Sequence, residues 1–170
     1  MKTLDHPAFG QVEIDHGPDG YWETRLLHGG REVALDLNGD GLAIHHATLD
    51  KLAPFATELS RFDREALAAM RAHYAADPKA EPVGFYLDHH LAQIDPAELA
   101  AHLGDDDTAA PRIDATRLLG ALQLRRVGLY PHAPEQCAVF DYTIGEQLTD
   151  YLLVVGFNAS GELVGISMES

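Results

Sequence analysis

The sequence predicts a single α+β domain over residues 1–170, in which a largely antiparallel sheet packs against a central helical segment. Three observations lead to this class. The first and last thirds of the chain have the patterns of strands, whereas the middle third spaces its apolar residues as helices do. No linker or repeat divides the 170 residues, which are enough to bury one core. Runs of strands and runs of helices that are segregated along the chain are typical of α+β domains.

The first third predicts a short strand and a β-hairpin. FGQVEID forms the short strand and ends at HGPDG, after which YWETRLL leads through the glycine turn at 28–30 into REVALDLN. In this last run three apolar residues alternate with three polar ones: Val33, Leu35 and Leu37 with Glu32, Asp36 and Asn38. Such alternation predicts a hairpin with one buried face and one solvated face, and it places Asp36 on the solvated face.

The middle third opens with two predicted helices. Thr48 is the expected N-cap of the first, which runs through LDKLAPFATEL. Because proline has no amide hydrogen, Pro54 is expected to bend or divide this helix. Ser60, with Asp63 three residues later, opens the second helix, which ends before Pro78.

Three further helices are predicted between residues 83 and 122. VGFYLDHHLAQI has apolar residues at helical spacing. The next helix has the clearest local signal, with Asp95 as N-cap, Pro96 at the first helical position and Gly104 as the stop. Asp114 is the expected N-cap of a last helix through RLLGAL. The predicted helical segment therefore separates the two groups of predicted strands.

The last third predicts a four-strand meander over LQLRRVGLYP, CAVFDYTI, DYLLVVGFN and ELVGISMES. The third of these runs is apolar on both faces, so it is expected to be central and covered on both sides. The turn at 158–161 ends in Gly161, which suits a left-handed backbone. Cys137, the only cysteine, is expected to serve as a small buried residue in the second run.

The formal net charge of −15 indicates which partners to expect. No Lys or Arg follows residue 126. A field of this sign repels nucleic acids and anionic membranes, so we expect neither as a partner. The longest apolar run, YLLVVGF, is far shorter than the roughly 20 residues that a membrane helix needs. The N-terminus lacks the apolar core of a signal peptide, and a cytoplasmic location is therefore expected.

Two pairs of adjacent histidines, His45-His46 and His89-His90, raise the question of a metal site. Neighbouring residues on a helix point about 100° apart, so His89 and His90 do not chelate a metal alone. His45 and His46 would face opposite sides of an extended segment, and surface or half-buried imidazoles are the expected outcome for both pairs. The alternative is a metal-dependent hydrolase that takes one histidine from each pair, with His46, His90 and Asp88 as ligands. No cofactor is otherwise expected.

Other reactive motifs are weak or missing from the sequence. DLNGDG places Asp36, Asn38 and Asp40 as in the first half of a calcium loop, but Ala47 stands where a bidentate glutamate belongs. A polar turn that follows a strand is the preferred interpretation. The sequence contains no G-x-S-x-G, no phosphate-binding glycine loop and no H-E-x-x-H, and we expect no enzymatic activity.

Three short motifs mark the C-terminal half: Phe140-Asp141-Tyr142, Thr149-Asp150-Tyr151 and the terminal Glu169-Ser170. With the strand meander, they make residues 80–170 resemble a bacterial domain-of-unknown-function family. This family has no catalytic residues to transfer. In size, charge and missing catalytic motifs, the chain also resembles the small acidic immunity proteins of bacterial toxin systems, which occlude their toxins.

The predicted function is therefore that of an immunity protein, whose acidic surface binds a basic toxin or effector. Complementary charge would speed association, and a few desolvated side chains would hold the complex. The oligomeric state is left open. The candidate partner-binding residues are acids in three places along the chain: Asp88, Asp105, Asp106, Asp107, Asp141, Glu146 and Asp150.

Overall fold

The computed structural model describes residues 2–14, 20–41, 43–104 and 113–170 and shows an α+β fold. β1 (Lys2–His6) and β2 (Gly10–Ile14) form a two-stranded antiparallel sheet. A second sheet has six strands in chain order: β3 (Tyr21–His28), β4 (Arg31–Asn38), β5 (Gln123–Leu129), β6 (Ala138–Thr143), β7 (Leu152–Phe157) and β8 (Leu163–Glu169). The fold class, the hairpin and the four C-terminal strands are confirmed. β1 was not predicted, because KTLDH lacks regular apolar alternation.

One strand pairing makes the large sheet mixed. β3 and β4 pair antiparallel, from Tyr21 opposite Asn38 to His28 opposite Arg31. β4 and β5, in contrast, pair parallel, with Asp36 opposite Gly128. The connection between these two strands contains the helices, and parallel pairing requires a long crossover of this kind.

The described part of the chain contains five α-helices: α1 (His46–Thr57), α2 (Leu59–Ala76), α3 (Val83–Gln93), α4 (Pro96–His102) and α5 (Ala115–Gly120). Two predicted N-caps are confirmed. Asp95 accepts a hydrogen bond from the amide of Ala97, and Asp114 accepts one from the amide of Arg117, each at 2.8 Å. Gly104, the predicted stop, follows α4 with a φ of +74°.

The start of α1 differs from the prediction. Its N-cap is His45, and Thr48 lies in the first turn, where its hydroxyl accepts a hydrogen bond from the His45 amide at 3.3 Å. Pro54 lies inside the helix, which ends three residues later at Thr57, and the amide of the C-cap residue Glu58 donates to the Pro54 carbonyl at 2.8 Å. Pro54 has no amide hydrogen to donate to the Asp50 carbonyl, so one hydrogen bond of the helix is missing at this point.

Two compact units make up the structure. The first comprises Met1–Ala66, Leu124–Asp141 and Val155–Gly165. Its core is aromatic, and neighbouring ring centroids lie 4.7–6.3 Å apart among Phe55, Phe62, Phe140 and Phe157. Cys137 is buried in this unit, as predicted, and burial raises the pKa of its thiol. Gly161 has a φ of +80° in the predicted hairpin turn.

The second unit comprises Leu67–Gln123, Tyr142–Val154 and Ile166–Ser170. Its buried side chains come from the helices and from the strand residues that belong to it, and include Met70, Val83, Tyr86, Leu87, Leu99, Leu118, Tyr142, Ile144 and Leu153. Among the helices described, none is long and apolar enough to cross a membrane.

Candidate functional site

Arg126, which is partly exposed, lies at the centre of a charged group in the first unit, which we call the arginine cluster: Asp36, Arg126 and Asp141. Nε of Arg126 donates to Oδ2 of Asp36 at 2.5 Å, and Nη2 donates to Oδ1 at 2.7 Å. Nη1 donates to Oδ2 of Asp141 at 3.2 Å. One guanidinium therefore binds two buried carboxylates, one of them in the bidentate geometry that suits arginine.

Neighbouring residues complete the hydrogen bonds of the arginine cluster. Nη2 of Arg126 also donates to the hydroxyl of Tyr130 at 2.9 Å, and Nδ2 of Asn38 donates to Oδ1 of Asp36 at 2.6 Å. Burial alone would lower the pKa of Arg126, but its hydrogen bonds to Asp36 and Tyr130 outweigh burial and raise that pKa. The guanidinium is therefore permanently charged.

The arginine cluster corrects two predictions. Asp36 was expected on a solvated face, but it is buried, because the parallel pairing of β4 and β5 brings Arg126 beside it. Asp141 was expected to bind a partner, but it is buried and paired with Arg126. The signal for an ion pair within the fold was the presence of two arginines, Arg125 and Arg126, in the otherwise apolar run LRRVGLY.

The DLNGDG segment forms a turn, as preferred over a calcium loop. Both carboxylate oxygens of Asp36 bind Arg126, and Asp40 lies 3.3 Å from Nε2 of His132. Asp40 and Gly41 have φ values of +46° and +81°, the left-handed backbone that asparagine, aspartate and glycine adopt in turns.

His90 is buried in the second unit, with 2% of its surface exposed, so the expectation of a surface or half-buried imidazole is wrong for this residue. Nδ1 lies 2.6 Å from the Tyr86 carbonyl, and Nε2 lies 2.8 Å from Oγ1 of Thr149. A carbonyl only accepts hydrogen bonds, so Nδ1 carries the hydrogen and Nε2 of the neutral ring accepts from the Thr149 hydroxyl. The segment at 149–151 thus covers this side of α3.

Tyr86 and Thr149 extend these contacts into a buried network. The Tyr86 hydroxyl donates to the carbonyl of Tyr151 at 3.2 Å and accepts from the amide of Ile144 at 3.2 Å. Oγ1 of Thr149 accepts from the amide of Tyr151 at 3.1 Å. Burial lowers the pKa of His90 and raises that of Tyr86, so both side chains are held neutral.

Beside this network lies a group of partly exposed rings, which we call the aromatic patch: Phe85, His89 and Tyr151. Phe85 is 41% exposed and Tyr151 is 36% exposed. The His89 ring stacks on Phe85 with a centroid distance of 5.8 Å and meets Tyr151 edge-on at 5.1 Å. Large aromatic side chains in this degree of exposure are typical anchors of protein interfaces.

Two predicted partner-binding acids adjoin the aromatic patch along the chain. Asp88 precedes His89 and Asp150 precedes Tyr151, and both carboxylates are exposed. Glu146 is exposed as well. The predicted anchors Asp105, Asp106 and Asp107 lie outside the described residues. The patch itself was missed by the sequence analysis, although the spacing of Phe85 and His89, four residues apart on a helix, was its signal.

The alternative prediction was a metal site with His46, His90 and Asp88 as ligands. Over residues 2–14, 20–41, 43–104 and 113–170, no group of three or more His, Cys, Asp or Glu side chains is able to hold a metal ion. His46 and Asp88 are exposed, and both ring nitrogens of His90 already have hydrogen-bond partners.

Comparison with known proteins adds no relative: no family model, no curated protein and no solved structure matches the chain. The resemblance of residues 80–170 to a bacterial family, and of the whole chain to immunity proteins, stays a prediction.

Proposed function

We propose that this protein is a binding module that uses the aromatic patch to hold a basic protein partner. More specifically, we propose a cytoplasmic immunity protein that neutralises a bacterial toxin by occluding it. The observation that supports the binding role is the exposure of Phe85 and Tyr151 around His89, next to the carboxylates of Asp88 and Asp150.

The chemistry of the aromatic patch suits lysine and arginine side chains. The face of an aromatic ring attracts a cation within about 6 Å of its centroid, which contributes roughly 0.5–2 kcal/mol. Asp88 and Asp150 provide carboxylates that pair with the same cations. A basic residue of the partner would therefore gain an apolar contact, a cation–π contact and an ion pair at one place.

The buried network beneath the aromatic patch supports tight binding by limiting the motion of its residues. His90 and Tyr86 are both on α3, and they tie that helix to the Thr149 hydroxyl at 2.8 Å and to the Tyr151 carbonyl at 3.2 Å. Rings that are already held in place lose less conformational entropy when a partner binds.

The net charge of −15 supports rapid association with a basic partner. Long-range attraction raises the association rate, and dissolved salt screens it over about 8 Å at physiological ionic strength. We expect the association rate constant to fall steeply as salt is added. An association rate that is independent of salt would contradict the proposal.

The test begins with affinity isolation of the partner from the native cell, with the wild-type chain and the variant Phe85→Ala/Tyr151→Ala as baits. Interface anchors typically cost 2 kcal/mol or more on truncation, so we expect the purified partner to bind the double variant at least about 30-fold more weakly. Val164→Ala, which truncates another exposed apolar side chain, is the matched control and should bind normally.

The acids require a second pair of variants. Asp88→Asn/Asp150→Asn should slow association severalfold and flatten its salt dependence, whereas Glu13→Gln/Glu65→Gln, which removes two exposed charges from the first unit, should do so less. Equal effects of both variants would mean that the charge acts through the overall field and not at the aromatic patch.

The immunity role is tested separately by expressing the isolated partner in cells. Wild-type protein should restore growth that the partner inhibits, and Phe85→Ala/Tyr151→Ala should not. A partner that binds at the aromatic patch without inhibiting growth would support the binding module and overturn the toxin assignment.

A further inference from the structure

Among the strands that the structure describes, β3 is the first of the large sheet and pairs only with β4. The Gly20 carbonyl accepts a hydrogen bond from the Gly39 amide at 2.9 Å, in the same register as the β3 and β4 pairs. Hydrogen-bonded and non-hydrogen-bonded residues alternate along an antiparallel ladder. The even-numbered residues of β3 therefore bond to β4, and the odd-numbered residues direct their amide and carbonyl groups outward.

The odd-numbered residues of β3 also expose their side chains. Leu27 is 79% exposed and Tyr21 is 47% exposed. Between them lie two exposed residues of opposite charge, Glu23 and Arg25. An edge strand that is eight residues long and carries exposed apolar side chains is a template for pairing with another strand.

The sequence of β3 is self-complementary about Thr24. In an antiparallel pair of two β3 strands centred on this residue, Glu23 of one protomer lies opposite Arg25 of the other, and this pair occurs twice. Tyr21 lies opposite Leu27, also twice. On the other face Trp22 lies opposite Leu26, and Thr24 faces its own copy. Opposite charges and apolar pairs directly across a ladder are the stabilising combinations.

The outward backbone groups select this register over its neighbours. Residues 21, 23, 25 and 27 meet one another when Thr24 is central, so each such pair can exchange its amide and carbonyl hydrogen bonds. A shift by one residue would place odd-numbered residues opposite even-numbered ones, whose amide and carbonyl groups already bond to β4. A shift by two would put Arg25 opposite Arg25, or Glu23 opposite Glu23, and like charges in direct opposition destabilise a ladder.

We propose that the protein forms a symmetric homodimer through antiparallel pairing of β3 with β3 of a second copy, centred on Thr24. The two large sheets then continue into each other. The proposed dimer contact uses Tyr21–His28 of the first unit, whereas the residues of the aromatic patch belong to the second. The net charge of −15 on each protomer opposes association, so the test belongs at about 0.15 M salt or above, where the Debye length is about 8 Å or less.

Charge exchange across the proposed dimer is the first test, read by sedimentation equilibrium. Arg25→Glu should weaken the dimer at least about tenfold, because two attractive pairs become repulsive. Glu23→Arg/Arg25→Glu should restore the dimer, since the opposite charges still face each other. Within one protomer Glu23 accepts from the Tyr21 hydroxyl at 2.7 Å and Arg25 lies 3.9 Å from Glu32, and the double exchange restores neither contact.

The control Arg31→Glu makes the same change of net charge at an exposed position of β4. It should leave the dimer largely unchanged. A wild-type protein that stays monomeric at millimolar concentration, an Arg25→Glu dimer as strong as the wild type, or an equal loss with Arg31→Glu would each overturn the proposal.

A disulfide provides a second readout that does not depend on charge. Thr24→Cys places two thiols opposite each other in a non-hydrogen-bonded pair, where the Cα atoms lie about 4.5 Å apart, within disulfide range. Mild oxidation should give a covalent dimer. Glu23→Cys should not, because its copies are offset along the ladder beyond about 7 Å. Native Cys137 is buried and should not react. Crosslinking of both variants alike would overturn the Thr24 register.

Discussion

The arginine cluster and the aromatic patch use acidic residues in opposite ways. In the cluster, Asp36 and Asp141 are buried and bind one guanidinium. At the patch, Asp88 and Asp150 are exposed beside aromatic rings. A charge count treats these four acids alike, but only the second pair is accessible to a partner.

The difference lies in what compensates each carboxylate. A buried charge is costly unless it is paired and hydrogen-bonded. The arginine cluster meets this condition, because Arg126 donates to both carboxylates and Asn38 donates to Asp36. An exposed carboxylate is solvated by water and needs no partner within the protein. Mutations in the cluster should therefore change stability, whereas mutations of the patch acids should change association.

Removal of Arg126 is expected to give the largest loss of stability. Arg126→Met leaves two buried carboxylates without their cation, and breaking a buried pair in this way typically costs about 3–5 kcal/mol. Urea unfolding at pH 7.5 measures the change in free energy. Arg125→Met, one residue away on the exposed side of β5, is the matched control and should cost much less. Equal losses would mean that the arginine cluster contributes no more than surface charge.

The adjacent histidines at 89 and 90 give a second contrast, between the aromatic patch and the network beneath it. His90→Ala removes a buried ring and leaves the Tyr86 carbonyl and the Thr149 hydroxyl without it, and we expect a loss of about 2–3 kcal/mol. His89→Ala removes a half-exposed ring and should cost less than about 1 kcal/mol. Thermal unfolding of both variants under the same conditions measures the two losses of stability. A larger loss for His89→Ala would contradict the burial of His90.

The two regions also show how far the sequence could predict the structure. Asp95, Asp114 and Gly161 were identified because caps and turns are local, and a few neighbouring residues determine them. The alternation of CAVFDYTI likewise marks a strand without knowledge of its neighbours.

Contacts between distant segments could not be predicted. The parallel pairing of β4 with β5 determines that Asp36 meets Arg126, and no local pattern encodes it. His90 is buried by a segment about 60 residues further along the chain, through Thr149. The spacing of apolar residues on α3 gave no sign of this cover, so the helix was predicted correctly and the exposure of its histidine was not.

Gly128 offers a smaller test of the arginine cluster. A Cβ atom at this position would lie 2.6 Å from Nη2 of Arg126, so the guanidinium must shift from its position in the arginine cluster. We expect Gly128→Ala to cost about 1–2 kcal/mol by urea unfolding. Gly165→Ala, in β8, meets no atom within 4 Å and should be neutral or slightly stabilising. If Gly128→Ala has no effect on stability, the arginine cluster does not depend on the present position of the Arg126 guanidinium.

The network beneath the aromatic patch should make the stability depend on pH, because it contains His90. The arginine cluster should not do so through Arg126, which is permanently charged. Burial lowers the pKa of His90 from 6.5; the hydrogen bond to the Tyr86 carbonyl opposes this shift, and nearby His89 adds to it. Between the folded-state pKa and about 6.5, the unfolded chain therefore binds more protons than the folded chain. The stabilisation is complete above about pH 6.5 and falls as the pH decreases through this interval.

His90→Gln isolates this contribution from those of the other histidines, because glutamine does not titrate. Urea unfolding from pH 7.5 to 5 should show a steeper loss of stability for the wild type than for His90→Gln, with the difference appearing below about pH 6.5. Parallel profiles would contradict a neutral, buried His90. The two regions then differ in kind, since the arginine cluster is stabilised by paired charges and the network beneath the aromatic patch by the exclusion of charge.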